Sequence, residues 1–241
     1  MSTDNIYNEY RERISDFVFD EKVASVFDDM IRRSIPGYAT IIGMTKVFAE
    51  RYAQPDSNCY DLGCSVGAST LAIRNGIRCS GCKITAVDNS EPMIERCRKI
   101  VGEHKGDTPV EIICSDITDV DVTDASVVVM NFILQFLSPD NRQRMIRKIY
   151  DGLLPGGMLL LSEKIKSDDI EKNNFYVEMY HEFKKLMGYS DLEIDQKRRA
   201  LENVLISDSL NEHRQRLSNA GFEKTDVWFK CFNFVSIAAF K

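Results

Sequence analysis

The stretch Tyr60-Asp61-Leu62-Gly63-Cys64-Ser65-Val66-Gly67 decides the fold. An apolar run over 58–62 ends here in an acidic, glycine-containing loop, and an amphipathic stretch through Arg74 follows. The spacing Gly63-x-x-x-Gly67 does not fit the G-x-G-x-x-G of dinucleotide enzymes, and Asp61 sets a negative charge near the place of a pyrophosphate. The loop therefore indicates a ligand with a cationic group, such as the amino group of an amino acid. An ordinary strand–helix turn is the alternative.

Short apolar runs and amphipathic stretches alternate downstream of this loop. They predict strands at 58–62, 83–88, 110–114, 125–131 and 158–162, with helices through Arg74, over 92–101 and over 139–153. A capping-box pattern at 209–212 opens a helix ending at Gly221, and strands at 226–229 and 234–240 form an antiparallel pair. The pattern predicts an α/β, Rossmann-like fold with a mostly parallel seven-stranded sheet and helices on both faces.

Two helical additions accompany this sheet. Residues 1–56 predict an N-terminal helical cap: a loosely held start to about residue 16, a helix over 20–33, a break at Pro36-Gly37 and a second helix whose buried positions are Ile41, Ile42, Phe48 and Tyr52. Residues 165–206 are charged and helical in texture, which predicts an insertion after the fifth strand. With no repeat or linker, residues 1–241 predict one domain.

Composition narrows the class of protein. The 241 residues carry 31 Lys+Arg against 37 Asp+Glu, a formal net charge of −6, which disfavours tight nucleic-acid binding. The N-terminus has no apolar signal region, and no apolar run approaches the ~18 residues of a membrane span. Seven scattered cysteines favour reduced thiols, so we expect a cytoplasmic protein. Cys79-x-x-Cys82, a single pair without a nearby histidine, is weak as a zinc site.

Polar residues end the predicted strands in a particular order. Asp88, with Asn89, ends the second strand, where a carboxylate can accept both hydroxyls of a ribose; helix capping by Asp88 is the alternative. Asp116-Ile117 ends the third, where the carboxylate could take an exocyclic amino group and the Ile could flank a ring. Asn131 ends the fourth, and the Pro155-Gly-Gly turn precedes the fifth. These ends line one crevice of an open α/β sheet.

The series resembles the class I S-adenosylmethionine (SAM)-dependent methyltransferase fold. The competing interpretation, a NAD-dependent oxidoreductase, is disfavoured because the sequence lacks the glycine pattern of that class. Further motifs narrow the resemblance: 20–24, 29–38, 60–65, 87–90, 93–98, 131–137, 161–164, 188–193, 196–198, 201–204 and 228–234. Together they resemble the carboxy-S-adenosyl-L-methionine synthase family of bacterial tRNA wobble-uridine modification, from about residue 14 to residue 241.

The resemblance implies a homodimer that converts SAM and prephenate to carboxy-SAM and phenylpyruvate. A partner tRNA carboxymethyltransferase then modifies 5-hydroxyuridine at the wobble position, so neither direct nucleic-acid binding nor a membrane is expected. It implies no metal. The implied binding residues for the nucleoside and methionine parts are Tyr38, Gly63, Cys64, Ser65, Asp88, Asn89, Asp116, Ile117 and Asn131, and Arg198 binds the added carboxylate.

The chemistry of carboxy-SAM agrees with an added cation. A bidentate guanidinium suits the extra carboxylate, and the run Lys197-Arg198-Arg199 offers one and could steer the prephenate dianion. We expect positioning and water exclusion to dominate, so the sequence assigns no acid or base. Glu163 and Lys164, at the end of the fifth strand, either face the substrate or pair with each other. A conventional SAM-dependent methyltransferase and a non-catalytic SAM-binding partner of a tRNA-modifying enzyme remain the alternatives.

Overall fold

A seven-stranded sheet runs through the centre of the computed structural model, which describes residues 3–241. The strands are β1 (Asn58–Leu62), β2 (Lys83–Asp88), β3 (Val110–Cys114), β4 (Ala125–Asn131), β5 (Leu153–Lys164), β6 (Lys224–Cys231) and β7 (Phe234–Phe240). Their order is β3-β2-β1-β4-β5-β7-β6. Strands β1 to β5 are parallel, and β7 runs antiparallel to both neighbours. The predicted sheet, including its antiparallel end, is confirmed.

Helices cover both faces of the sheet, as predicted. They are α1 (Glu21–Ser34), α2 (Tyr38–Tyr52), α3 (Ala68–Gly76), α4 (Glu91–Glu103), α5 (Pro139–Gly152), α6 (Ile170–Leu186), α7 (Asp191–Leu201) and α8 (Leu210–Ala220). Side chains of β4 alternate between two cores because successive strand residues point to opposite faces. Val128 lies with residues of α5 and α8, whereas Val129 lies with residues of α2 and α3.

The start of β5 differs from the prediction. The sequence predicts a tight Pro-Gly-Gly turn followed by a strand at residue 158, but β5 already begins at Leu153. Leu153 pairs with Ala125 and Met158 pairs with Val127, so the extra residues form an irregularity inside the strand. Gly156 has a φ of 77°, a conformation that favours glycine, and thereby allows the strand to continue.

The described start of the cap has buried anchor residues, which the prediction of a loosely held segment to residue 16 does not include. Asp4 is buried: its backbone N–H donates to Asp29, and its carboxylate accepts from the Tyr189 hydroxyl. Tyr7 and Phe17 are also buried. Polar residues can order a segment when they find buried partners, and the sequence does not show those partners.

The buried face of α2 also differs from the prediction. Of the four expected positions, only Ile41 is buried, whereas Ile42, Phe48 and Tyr52 are less completely covered. Tyr38, Thr45 and Ala49 are buried instead. This helix packs closely on α3, because Gly76 leaves room for the backbone of α2 at Lys46.

The insertion forms α6 and α7, and α7 contacts the cap. The Gln196 side chain accepts from the Arg11 N–H at 2.7 Å and donates to the carbonyls of Tyr7 and Glu9 at 2.9 and 2.8 Å. The Phe17 N–H donates to the Ala200 carbonyl at 2.8 Å. The cap and the insertion are therefore joined by backbone hydrogen bonds as well as by apolar contacts.

Candidate active site

A cavity of about 280 Å³ opens at the carboxyl ends of β1, β2 and β3. We call it the crevice. Its lining residues are Phe19, Gly63, Ser65, Asp88, Asn89, Asp116, Ile117, Thr118, Ile133, Phe136, Leu137, Ser138 and Asn141. Six of the ten sequence-predicted site residues lie together in it: Gly63, Ser65, Asp88, Asn89, Asp116 and Ile117. The crevice lies beside the β1–β4 junction, where the strand order reverses and where ligands bind in open α/β sheets.

The glycine loop after β1 is held by backbone hydrogen bonds and close packing. The N–H groups of Gly63 and Cys64 both donate to the Val87 carbonyl, at 2.8 and 2.9 Å. Gly63 has a φ of 87°, and a Cβ there would lie 2.0 Å from Ile133. The space beside the Gly63 α-carbon is therefore filled by the Ile133 side chain.

Gly67 allows a close approach between two helices. A Cβ at Gly67 would lie 2.9 Å from the Cys97 sulfur on α4. The glycine therefore permits close packing of the α3 start against α4. Its N–H also donates to the Cys64 carbonyl at 2.8 Å, which closes the loop.

Asp88 joins the first two strand ends of the crevice. One carboxylate oxygen accepts from the Ser65 N–H at 2.9 Å and the other from the Ser90 N–H at 3.0 Å. Burial raises the pKa of Asp88, while these N–H groups oppose the rise. Ser90, not Asp88, caps α4, so the capping alternative is wrong. Each oxygen has a second lone pair with which it can accept a hydrogen bond from a ligand hydroxyl.

Asp116 presents one free carboxylate oxygen at the next strand end. Its Oδ1 accepts from the backbone N–H and the hydroxyl of Thr118, at 2.8 and 2.7 Å. These bonds fix the orientation of the exposed carboxylate, and Oδ2 is left to accept from a ligand amino group. Ile117 is buried beside it and supplies an apolar surface. The arrangement suits a purine with an exocyclic amine.

Two acceptors for a cationic group lie beside the crevice, near the ends of β1 and β4. Asp61 is fully buried, accepts from the Thr70 hydroxyl at 2.6 Å, and has its pKa raised by burial to about 7. Asn131 donates to the Ser69 hydroxyl at 3.0 Å, whereas its buried Oδ1 has no partner within residues 3–241. Such an orphaned acceptor fits the ammonium of a ligand amino acid.

Two non-glycine residues with left-handed backbones flank these acceptors. Ser65 has a φ of 46° and Phe132 a φ of 64°. The Phe132 N–H donates to the Ser162 carbonyl at 2.7 Å, which holds the turn after Asn131. Strained backbone of this kind concentrates at ligand sites, and no sequence pattern announces it.

Tyr38 and Cys64 lie outside the crevice lining. Tyr38 is buried among Ile41, Phe132 and Phe234, and burial raises the pKa of its hydroxyl. The Cys64 thiol interacts with Cys97, and that interaction together with burial raises its pKa. The Cys64 thiol is therefore a core group, and a ligand would meet only the backbone of Cys64.

Arg198 stands on α7, away from the crevice lining. Its side chain is 63% exposed and pairs with Asp195 at 2.8 Å. The neighbouring Lys197 pairs with the buried Asp4 at 3.5 Å and donates to Ser34 at 3.0 Å. Lys197 is therefore paired within the chain, whereas Arg198 is exposed beside Asp195, and the steering of an anion by the run 197–199 stays a prediction. Helical geometry separates adjacent residues in this way.

Glu163 and Lys164 at the end of β5 do not pair with each other. Glu163 is buried, and its carboxylate accepts from the N–H groups of residues 133, 134 and 135 at 2.8 to 3.2 Å. Burial raises the pKa of Glu163 to about 8. Its role is to hold the turn beyond Asn131. The Lys164 ammonium lies 5.0 Å from the Tyr180 ring centroid.

Sequence reasoning missed part of the crevice wall. Phe19 of the cap meets Phe136 edge-on, with ring centroids 5.4 Å apart, and the Ser90 hydroxyl donates to the Phe19 carbonyl at 2.6 Å. Phe136 lies in the apolar run that follows Asn131, which could have indicated it. Phe19 has no such signal, because only the fold of the cap brings it to the crevice. Thr118, Leu137, Ser138 and Asn141 were also missed.

Residues 3–241 contain no group of three or more His, Cys, Asp and Glu side chains placed to hold a metal ion. The sulfurs of Cys79 and Cys82 lie 3.2 Å apart, and Cys82 donates to the Gln54 carbonyl. Across the described part of the chain, no helix is long and apolar enough to cross a membrane.

The sheet order, the acidic glycine loop and the carboxylates at successive strand ends define a class I SAM-dependent methyltransferase fold. Residues 60–157 match the family model of a methyltransferase domain. The structure is similar to an O-methyltransferase family protein from Burkholderia thailandensis, with a TM-score of 0.64 and 15% identity, over 92% of this chain and 60% of that one. That likeness supports the fold alone.

More similar relatives specify the family. Carboxy-S-adenosyl-L-methionine synthase of Aliivibrio fischeri (strain MJ11) is 53% identical over 238 residues, 99% of this chain and 98% of that protein. The synthase of Photobacterium profundum is 52% identical over the same shares. The chain belongs to the carboxy-S-adenosyl-L-methionine synthase family, a family of SAM-using enzymes. The predicted family and fold are confirmed.

Proposed function

We propose that this enzyme makes carboxy-SAM and phenylpyruvate from SAM and prephenate. The observation that carries the proposal is the 53% identity to a carboxy-S-adenosyl-L-methionine synthase over 99% of the chain. The crevice supports it, because its carboxylates and the orphaned Asn131 acceptor suit the hydroxyls, amine and ammonium of SAM.

Each part of SAM has a proposed partner. Asp88, with Asn89 and the Gly63–Ser65 loop beside it, takes the ribose and positions the nucleoside. Asp116 takes the adenine amine and Ile117 packs on the ring. Asn131 and Asp61 take the ammonium. Tyr38 closes the methionine end, and Arg198 binds the carboxylate that the reaction adds.

The proposed reaction transfers a carboxyl group between its substrates. In prephenate, the bond between the ring and its carboxylate breaks, and the ring hydroxyl leaves as hydroxide. Loss of CO2 and hydroxide makes the ring aromatic, and the product is phenylpyruvate. The hydroxide removes a proton from the sulfonium methyl group and becomes water. The carbon so exposed forms a bond to CO2, which gives carboxy-SAM. No side chain has to supply or accept a proton, so the protein acts by positioning the reactants and excluding water.

The proposed product serves a partner enzyme. We propose that a tRNA carboxymethyltransferase consumes carboxy-SAM at the wobble uridine, in the cytoplasm, so that this acidic chain needs no contact with tRNA. The seven cysteines, all free, agree with a reducing compartment.

We also propose a homodimer, because α6 exposes the apolar side chains of Phe175, Val177 and Leu186. Light scattering should give twice the mass of the 27.5 kDa chain, and a monomer would refute the dimer.

Isotope labelling tests the proposed reaction. The enzyme is incubated with SAM and prephenate that carries ¹³C in the ring carboxylate, and the products are analysed by mass spectrometry. We expect phenylpyruvate and carboxy-SAM with the label in the new carboxylate. Methyl transfer to an acceptor without carboxy-SAM would favour a conventional methyltransferase. SAM binding without any product would favour a non-catalytic SAM-binding subunit.

A further inference from the structure

Two lysines near the methionine end of the site have no counter-charge. Lys164 ends β5, and Lys184 lies on α6 with only 7% of its surface exposed. Within residues 3–241, neither ammonium group forms a hydrogen bond or an ion pair with another side chain or carbonyl. A buried lysine ordinarily has such a partner, because an unpaired buried charge is costly. The two ammonium groups are therefore placed where an anion from outside the chain can serve as their partner.

Both ammonium groups converge on one aromatic ring. The Lys184 nitrogen lies 4.4 Å and the Lys164 nitrogen 5.0 Å from the Tyr180 ring centroid. Tyr180 and Lys184 share one face of α6, because they are four residues apart. We call Lys164, Tyr180 and Lys184 the basic patch. It combines two cations with an aromatic surface, which suits an anion attached to a carbon ring.

The basic patch adjoins the place where the sulfonium of SAM is expected. The Tyr180 ring lies 5.0 Å from that of Phe234, which in turn lies 6.1 Å from Phe132, the residue after Asn131. Phe132, Phe234 and Tyr38 share one apolar cluster, and Tyr180 packs against it. In the sheet, Lys164 lies two residues beyond Ser162, the partner of Asn131. The patch is thus continuous with the methionine end of the site.

We propose that Lys164 and Lys184 bind a carboxylate of the second substrate, a small cyclic dicarboxylate, while Tyr180 contacts its ring. The inference rests on the proposed function for the identity of that substrate. The two anions then have different binding sites. The basic patch holds the incoming dicarboxylate, and Arg198 holds the carboxylate on the product.

The electrostatics of the patch agree with an anion site. Burial, followed by the charges of Lys164, Lys197 and Arg198, lowers the pKa of Lys184 to about 7. Burial also lowers the pKa of Lys164. Every charged neighbour that shifts the pKa of Lys184 is positive, so an arriving carboxylate would relieve repulsion and keep both ammonium groups protonated.

The test separates binding from turnover. Binding of prephenate is measured by calorimetry on the protein loaded with S-adenosylhomocysteine, which has no methyl group to react. Turnover is measured as phenylpyruvate formed. The variants are K164M and K184M, with K184R for rescue. The matched control is K185M, because Lys185 is the exposed neighbour on α6 and pairs with Glu182 and Asp191. Binding of S-adenosylhomocysteine reports that each variant is folded.

We expect K164M and K184M to weaken prephenate binding roughly 10- to 100-fold, the loss of one hydrogen bond to a charged group. The KM for prephenate should rise by a similar factor while the affinity for S-adenosylhomocysteine stays within about twofold. K184R should recover most of the binding, and K185M should resemble the parent. Prephenate binding and KM unchanged in both methionine variants would overturn the inference.

The two proposals fail differently. If prephenate binds in a lysine-dependent way but no carboxy-SAM forms, the proposed reaction is refuted and the anion site stands. If the parent makes carboxy-SAM and both lysine variants do so with an unaltered KM, the reaction stands and the basic patch is refuted as its site. Loss of S-adenosylhomocysteine binding in both K184M and K184R would also overturn it, because Lys184 would then be a structural residue.

Discussion

The nucleoside end of the crevice and the basic patch adjoin the same edge of the sheet, but they are built in opposite ways. Asp88 and Asp116 stand at or just beyond strand ends and are oriented by backbone N–H groups a few residues away. Lys164 and Lys184 come from a strand and a distant helix, and their ammonium groups meet over the Tyr180 ring. The first region is complete before a ligand arrives, whereas the second lacks its counter-ion. On the proposed assignment, one region recognises neutral hydroxyls and amines by preset acceptors, and the other recognises charge.

A buried arginine links the crevice wall to the segment that follows the insertion. Arg142 pairs with Asp208 at 2.7 Å and donates to the carbonyls of Leu137, Gln135 and Ile206. We expect Arg142→Met to lower the free energy of unfolding by about 3–5 kcal/mol, because the carbonyls of Leu137 and Ile206 lose a charged donor and Asp208 keeps only Arg216. This is the largest effect predicted here, and urea denaturation measures it.

The matched control for this substitution is Arg147→Met on the same helix. Arg147 is 57% exposed and forms an exposed ion pair with Asp151. Its loss should cost less than about 1 kcal/mol. Equal stability of the two variants would show that Arg142 does not join the two regions.

The nucleoside end is tested by Asp88→Ala. This change removes the acceptor of the Ser65 and Ser90 N–H groups as well as the proposed acceptor of the ribose hydroxyls. We expect SAM affinity to fall about 100-fold, or about 3 kcal/mol, measured by calorimetry. Asp119→Ala, an exposed carboxylate beyond the same edge, should leave the affinity unchanged. If Asp88→Ala bound SAM like the parent, Asp88 would be excluded as the ribose acceptor.

The contrast between the regions also explains what the sequence could predict. Strand periodicity fixes where β2 and β3 end, so Asp88 and Asp116 are predictable from the order of the strands alone. The same logic finds Asn131. These residues depend on local structure plus a single topological rule, that parallel strands present their carboxyl ends at one edge.

The remaining features depend on tertiary contacts between distant segments. Asp4 anchors the described start of the cap through Tyr189, and Phe19 reaches the crevice only when the cap folds over it. The run 197–199 reads as three equivalent cations, but Lys197 pairs with the buried Asp4, a partner that the sequence does not indicate. Lys184 resembles any helical lysine until the fold buries it. Periodicity does not encode such partners.

Arg198→Ala tests whether Arg198 binds the added carboxylate of carboxy-SAM. The expected loss of affinity is the third largest of the predicted effects. Its pair with Asp195 is exposed, so releasing the guanidinium costs little. We expect the variant to bind carboxy-SAM about 30-fold more weakly and SAM almost unchanged, because only carboxy-SAM carries the extra anion. Arg199→Ala is the neighbouring control. An unchanged ratio of the two affinities, measured by competition, would assign the carboxylate to another cation.

The smallest predicted effect is a pH dependence of the affinity for SAM, which arises from Asp61 and does not involve the basic patch. The pKa of Asp61 is about 7 because burial disfavours its charge, so the carboxyl is mostly neutral at pH 6 and ionised at pH 8. A ligand ammonium stabilises only the ionised form, and SAM affinity should therefore rise about tenfold from pH 6 to pH 8. Asp61→Asn should abolish this dependence, whereas K184M should retain it, because Lys184 is assigned to the other substrate. Loss of the dependence in K184M but not in Asp61→Asn would reverse the assignment of the two regions.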